Sequence, residues 1–229
     1  MKDLLERIKD VFSLGPNYYH GHLYSYFREV FKKLEKGQIS EEKIKQEVKN
    51  IFMSNEDLRK EFLQKTNPSK NLTILGNSIK LFEKIRIGVI HVKNNEYEPM
   101  HLHEGFSSIQ IVLKGECELI EADKINLEGE SITFKLHQKL NLKEGDVMIN
   151  TPTYRCIHGF GSLQCAVYVL SITKSLGLFG KFKFNSKISF IPDRHYIDID
   201  NKQEIEHSVF RSQLISRETA ESKYLKKSS

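Results

Sequence analysis

The sequence is poor in cysteine, and no two of its cysteines have the close spacing of a CxxC motif. Cys117, Cys156 and Cys165 are the three in 229 residues, and an odd number without CxxC spacing favours neither a disulfide framework nor a cysteine zinc site. The chain also lacks an apolar run of about 18 residues, the length that a membrane-spanning helix needs. Its first ten residues are charged, unlike those of a signal peptide. We therefore predict a cytoplasmic protein with no membrane partner.

Long runs of one charge sign are also missing. The 35 Lys and Arg residues and 30 Asp and Glu residues leave a formal charge of +5, but the two signs alternate along the chain, so no nucleic-acid partner is predicted. What is present is a globular composition, with 39% hydrophobic residues, 14 Phe and 9 Tyr. The length fits one domain with an appendage. The sequence does not predict an oligomeric state.

The spacing of apolar residues changes near residue 66. From Asp3 to about Leu63 they recur at helical intervals, and Ser40 and the pair Ser54-Asn55 stand where helix N-caps are needed. Beyond residue 66 they alternate in short runs such as IRIGVIHV and SITFKL, with Gly or Asn turns between. Short strands at such spacing are typical of a small β-barrel or jelly roll. We predict a mainly β fold with an N-terminal α-helical segment.

Three segments follow from this change of pattern. We predict that residues 1–66 form a helical segment packed on the barrel and that residues 67–200 form the barrel, with one or two further strands within 181–200. Residues 201–229 are polar, so we expect a C-terminal tail with at most a short helix.

A pair of histidines carries the strongest chemical signal. His101 and His103 are two residues apart on a predicted strand, which aims both imidazoles to one side. His158 follows a Gly-Asp turn and another strand, and antiparallel pairing can place it beside them. Three neutral nitrogen ligands suit Fe(II), Zn(II), Ni(II) or Mn(II) and leave positions open for a substrate. The other histidines are expected to be ordinary polar residues.

These landmarks resemble a known superfamily. Residues 98–115 and 145–158 are similar to the two cupin motifs, and this resemblance implies a cupin-type jelly-roll barrel. Most metal cupins have a Glu five residues after the second His, where this chain has Ser108. The run HLHEGFSSIQIVLKG instead resembles the non-haem iron thiol dioxygenases, in particular their cysteamine dioxygenase and plant cysteine oxidase branch. That resemblance implies Fe(II), dioxygen and a small thiol that is converted to a sulfinic acid.

The missing Glu has an electrostatic consequence. Three neutral histidines leave a divalent ion at +2, whereas an additional carboxylate would lower it to about +1. A +2 ion accepts an anionic ligand such as a thiolate, so the ligand set agrees with the resemblance.

The sequence departs from the thiol dioxygenases near the expected substrate site. Leu102 stands where family members usually carry Asp, and Ser108 stands at the Cys that crosslinks to a Tyr in cysteine dioxygenases. YVLSITKS replaces the expected Pro-Pro-Tyr segment. Two rival interpretations therefore stay open: a metal cupin with lyase, isomerase or carbon-oxygenating chemistry, and a non-catalytic ligand-binding cupin.

Further candidates follow from strand parity and proximity. Ser108 and Gln110 share the inward face of their strand, and Tyr154 and Arg155 lie just before His158, so we predict that all four bind substrate. Arg155 can hold a substrate carboxylate in a bidentate manner or be a solvated loop residue, and we also count it among the catalytic candidates. Tyr168 can donate its hydroxyl at the metal as a catalytic residue, or fill the core.

Overall fold

The computed structural model describes residues 21–79, 83–103, 105–137, 139–176 and 194–225. The sequence predictions for residues 1–20 and for the strand within 181–193 lie outside the described residues. In the described part of the chain, no helix has the length and apolar character needed to cross a bilayer.

Three helices precede the strands: α1 (Gly21–Glu35), α2 (Glu41–Met53) and α3 (Glu56–Lys65). Ser40 caps α2 by accepting a hydrogen bond from the backbone N–H of Lys43, and Asn55 caps α3 by accepting one from Leu58. A side-chain oxygen at this position satisfies a backbone donor that has no partner within the helix. The two caps predicted from the sequence are present.

Thirteen strands are described, and all their pairings within sheets are antiparallel. They are β1 (Leu72–Ile79), β2 (Glu83–Val92), β3 (Tyr97–His103), β4 (Phe106–Lys114), β5 (Cys117–Glu128), β6 (Ser131–Leu136), β7 (Leu140–Leu142), β8 (Val147–Asn150), β9 (Ile157–Ser162), β10 (Val167–Leu176), β11 (Arg194–Ile197), β12 (Gln203–Glu206) and β13 (Val209–Ile215). A 3₁₀ turn (Ile199–Asn201), the helix α4 (Arg217–Ala220) and a π-helical turn (Glu221–Leu225) complete the described chain.

The strands form two sheets. The first has five strands in the order β1-β2-β10-β4-β8. The second runs β11-β3-β9-β5-β6-β13-β12, and an additional pairing of β11 with β13 closes six of its strands into an antiparallel barrel. The predicted mainly β fold class with an N-terminal helical segment is confirmed.

Alternation along the strands separates three cores. The helix-facing core lies between the helices and one face of the five-stranded sheet, and it contains Phe27, Phe52, Ile87, Ile111 and Ile172. The other face of that sheet packs against β3, β9 and β5, and the apolar part of this inter-sheet space includes Val112, Leu119, Phe160 and Val169. The third core fills the six-stranded barrel with Leu102, Phe134, Ile157 and Ile197. The central strands β2, β4 and β10 therefore contribute to two layers.

The end of the chain differs from the predicted polar tail. Residues 203–215 form β12 and β13, and β13 pairs with both β6 and β11, so this stretch closes the barrel. Its polar composition accords with a β12 that is exposed along its whole length and a β13 that is mostly half-buried, with Ser212 as its one buried residue. The segment boundaries at residues 66 and 200 stay predictions.

The last turn is tied back to the barrel through Asp198. The hydroxyl of Tyr224 donates to Asp198 Oδ1 at 2.9 Å, Asn201 Nδ2 donates to Oδ2 at 2.7 Å, and Lys223 forms an ion pair with the same carboxylate. Tyr224 also packs with Tyr196 of β11. These contacts hold β11 beside β3, the strand that carries two of the three predicted metal ligands.

Candidate metal centre

The structure brings the three predicted histidines together in the inter-sheet space. His101 and His103 share one face of β3, and His158 lies directly opposite His101 in the register of β3 with β9. The Nε2 atom of His101 is 3.1 Å from Nε2 of His103 and 3.2 Å from Nε2 of His158. All three side chains are buried, and one ligand atom of each lies within 4.8 Å of the others.

These distances fit a single metal ion. Nitrogens that are each about 2.1 Å from an ion and 3.1 to 3.2 Å from one another subtend about 95–100° at it, which lies between octahedral and tetrahedral values. Three imidazole nitrogens that converge on one buried point can each direct a lone pair at a cation between them. Within the described residues, this cluster contains no carboxylate. The triad therefore suits a divalent ion with three neutral ligands.

Hydrogen bonding fixes which nitrogen of His101 faces the ion. Its Nδ1 is 2.9 Å from the carbonyl oxygen of Pro99, which can only accept, so Nδ1 carries the proton and Nε2 presents a lone pair. The rings are also held by packing: His103 stacks on Phe106 with centroids 4.0 Å apart, and Tyr196 lies 5.8 Å from the His101 ring. Neither Phe106 nor Tyr196 was predicted from the sequence to lie at this site.

Behind His103 lies a row of buried polar side chains. Ser108 Oγ is 3.5 Å from His103 Nδ1 and 3.4 Å from Asn150 Oδ1. Asn150 Nδ2 lies 3.3 Å from Glu121 Oε1 and 2.8 Å from the carbonyl oxygen of Arg155. Arg155 Nη1 in turn pairs with Glu121 Oε2 at 3.0 Å. This polar chain links a candidate metal ligand to an ion pair at the edge of the sheets.

Glu121 is the carboxylate in this row of polar side chains, and it is 2% exposed. Burial raises its pKa, whereas the charge of Arg155 and the hydrogen bond from Asn150 lower it in part. It lies opposite His158 in the register of β5 with β9. Sequence reasoning missed both Glu121 and Asn150. Strand parity could have found them, because residues two apart on a strand share a face. Glu121 thus lies on the same face as Leu119, and Asn150 on the same face as Met148, and both apolar residues are buried in the inter-sheet space.

Ser108 and Gln110 lie on the predicted face of β4 and are fully buried. Ser108 contacts the Nδ1 side of His103, so its hydroxyl stands behind the ligand and not among the ligand atoms. Gln110 Nε2 donates to Ser171 Oγ at 3.4 Å, and its Oε1 has no hydrogen-bond partner among the described residues. A buried acceptor of this kind suits a donor from a bound molecule.

Three of the predicted substrate or catalytic residues have other partners in the structure. Tyr154 is 38% exposed in the turn before β9. The guanidinium of Arg155 lies over the Tyr154 ring and pairs with Glu121, so it is already neutralised within the protein. Tyr168 packs on the helix-facing core and stacks on His91 with centroids 4.6 Å apart. Its hydroxyl is on the wrong face of the sheet for the metal, so the predicted catalytic role of Tyr168 is not supported.

A cavity of about 390 Å³ opens at the edge of the two sheets, beneath α2. Its floor is made by Leu119, Glu121 and Met148, and Arg155 lies at its wall. On the α2 side it is lined by charged residues that include Lys45 and Lys49. Because its floor residues point into the inter-sheet space, this cavity connects the surface with the polar chain.

Comparisons with known proteins found likenesses among solved structures. No family model matches the sequence, and no curated protein matches it. Among solved structures, the chain is similar to the cupin domain of Schizosaccharomyces pombe Cnp3, with 12% identity, TM-score 0.38 and coverage of 55% of this chain and 80% of that one. It is also similar to a cupin superfamily protein of Desulfitobacterium hafniense DCB-2, with 18% identity, TM-score 0.31 and coverage of 46% and 75%.

A third similar structure is KdgF from Halomonas sp., with 16% identity, TM-score 0.32 and coverage of 45% of this chain and 76% of that one. The assignment of fold rests on the strand order and pairings described above.

Proposed function

We propose that this chain is an Fe(II)-dependent oxygenase that converts a small thiol to a sulfinic acid, adding both atoms of dioxygen to sulfur. The balanced reaction is RSH + O₂ → RSO₂H. The observation that carries the proposal is the buried cluster of three Nε2 atoms from His101, His103 and His158, which contains no carboxylate in the described part of the chain.

The charge of this ligand set favours a thiolate. Three neutral imidazoles leave the ion at +2, and burial strengthens its attraction for an anionic ligand because the surroundings are less polarisable than water. Iron, when bound, would supply electron transfer between the thiol sulfur and dioxygen and would orient both. Zn(II), Ni(II) and Mn(II) fit the same nitrogen ligands, so the choice of iron belongs to the proposal.

The surrounding residues divide the work of binding. Phe106 stacks on His103 and, with Phe160 near His158, shields the triad from water. Gln110 offers its buried Oε1 to a donor on the substrate, such as an amine or hydroxyl. The cavity beneath α2 gives a small molecule a route from the surface to Glu121, which lies opposite His158.

A second candidate keeps the metal and changes the reaction. The phenol of Tyr168 lies on the helix-facing side, and the guanidinium of Arg155 is paired with Glu121. The centre thus lacks these two groups from the predicted thiol site. A lyase or isomerase that uses the ion as a Lewis acid needs neither of them, and Glu121 gives such an enzyme a buried carboxylate near the substrate route.

Oxygen uptake with a panel of small thiols discriminates the two. The protein is loaded anaerobically with Fe(II), mixed with each thiol in air-saturated buffer, and followed with an oxygen electrode and mass spectrometry. We expect one O₂ consumed per thiol and a product heavier by two oxygen atoms, with His103→Ala as the inactive control. Iron-loaded protein that consumes no oxygen with any thiol would favour the Lewis-acid candidate.

A further inference from the structure

The polar chain behind His103 has a direction that can be worked out from its acceptors. Asn150 is fully buried, and its Nδ2 lies 2.8 Å from the backbone carbonyl of Arg155, an atom that can only accept. Nδ2 must therefore be the amide nitrogen at that place, and Oδ1 must face Ser108. The second proton of Nδ2 points to Glu121 Oε1 at 3.3 Å.

The orientation of Asn150 determines that of Ser108. The Oδ1 atom has only lone pairs, so the hydroxyl of Ser108 donates its single proton to it at 3.4 Å. What Ser108 then presents to His103 is lone pairs. His103 Nδ1, 3.5 Å away, meets them favourably when it carries a proton.

The lone pairs of Ser108 favour the tautomer of His103 that leaves Nε2 available to a metal. With the proton on Nδ1, its Nε2 carries a lone pair and faces Nε2 of His101 across the 3.1 Å gap where the ion fits. The opposite tautomer, which predominates in free neutral histidine, would donate a proton to Nε2 of His101 where the ion must bind, and it would set two lone pairs against each other at Ser108.

We propose that Asn150 is a positioning residue that selects the metal-binding tautomer of His103 through the hydroxyl of Ser108. It does so from the other sheet, since Asn150 and Ser108 are paired in β8 and β4 while His103 is in β3. Glu121 and the Arg155 carbonyl hold its amide from the far side. The inference depends on the metal site but not on the thiol chemistry proposed above.

The first test measures metal affinity by titration of the full chain with Zn(II). Asn150→Leu keeps the volume and removes the acceptor, which frees the Ser108 hydroxyl to donate to His103 Nδ1 and selects the wrong tautomer. We expect zinc to bind about 10- to 100-fold more weakly, the range typical for loss of a partner of a metal ligand. Ser108→Ala should weaken zinc binding in the same range, whereas Ser108→Thr, which keeps the hydroxyl, should restore it. Asn141→Leu, on the exposed strand β7, is the matched control and should bind zinc as the wild type does.

A double-mutant cycle shows whether Ser108 and Asn150 act through the same hydrogen-bonded path. The Ser108→Ala, Asn150→Leu double variant should bind zinc no more weakly than the weaker single variant, because the second change has nothing left to disrupt. Additive losses would mean that each residue acts by itself and would overturn the proposal. Circular dichroism of each variant confirms that the folded protein is being titrated.

Discussion

The two faces of the five-stranded sheet differ in what they contribute, and β4 shows the contrast within one strand. Its odd-numbered residues Ile109, Ile111 and Leu113 are buried against the helices. The even-numbered Ser108 and Gln110 are equally buried but lie on the opposite face, where Ser108 contacts His103. Burial alone therefore does not tell the two faces apart. The helix-facing side is filled by apolar contacts. The other side also holds buried polar groups, each of which needs its own hydrogen-bond partner.

The largest expected effect concerns the triad face. His158→Ala removes one of three ligands, so we expect the metal content of the purified protein to fall from about one ion per chain to near zero. Its thermal unfolding in the absence of metal should stay close to that of the wild type, because the apolar cores are intact. Metal analysis and calorimetry of both proteins check this. Equal metal content would remove His158 from the site.

The matched change on the helix face is Ile111→Ala. Ile111 is fully buried in the helix-facing core, so the truncation should lower the free energy of unfolding by about 2–5 kcal/mol, through lost burial and the cavity left behind. Metal affinity of the folded protein should not change, because Ile111 points away from the triad. Urea unfolding and zinc titration give the two numbers. A loss of metal affinity comparable to that of His158→Ala would show that the two faces are not separable.

A smaller effect is expected when a charge is added on the triad face. Ser108→Glu brings a carboxylate beside the triad, and Ser108→Gln is the neutral control of the same length. Unit charges 4 Å apart interact with about 4 kcal/mol at an effective dielectric near 20, so even partial compensation of the metal charge should weaken thiolate binding more than about tenfold. Anaerobic thiol titration of the Fe(II) proteins measures it. Equal thiol affinity in the Glu and Gln variants would contradict the charge argument.

The smallest predicted effect lies away from both faces, at the C-terminal contact of Asp198. Burial by itself raises the pKa of this carboxyl, but hydrogen bonds from Lys223, Asn201 and Tyr224 outweigh it and lower the pKa below 3.8. A carboxyl whose pKa is lowered by folding stabilises the fold at pH values above its pKa in the unfolded state. That stability is lost as the pH falls through its pKa in the folded state. Asp198→Asn should thus melt at a slightly lower temperature near neutral pH, and the difference should shrink in acid. A difference independent of pH would mean that the carboxylate charge plays no part.

Local sequence patterns predicted the helices, the strands and the three histidines, because each depends on residues close together in the chain. Ser40 as a cap and the i, i+2 pair His101 and His103 are examples. The same patterns could not place Arg155, whose direction is decided by its ion pair with Glu121, 34 residues earlier in the chain. They also gave no face to Tyr168, since an amphipathic side chain fits either side of a buried strand.

The C-terminal strands were missed for a related reason. An exposed edge strand such as β12 shows no apolar alternation, so its pairing with β13 is visible only in three dimensions. The polar chain from Ser108 to Glu121 is likewise assembled from β4, β8 and β5, and no stretch of sequence contains it.

The most direct test of the metal site is a crystal structure of the protein loaded with Mn(II) or Fe(II), recorded at the absorption edge of the metal. The account predicts one strong anomalous peak per chain in the inter-sheet space, about 2.0–2.2 Å from the Nε2 atoms of His101, His103 and His158. A metal-saturated crystal with no peak among these three histidines, or with the ion held through Nδ1 of His103, would contradict it.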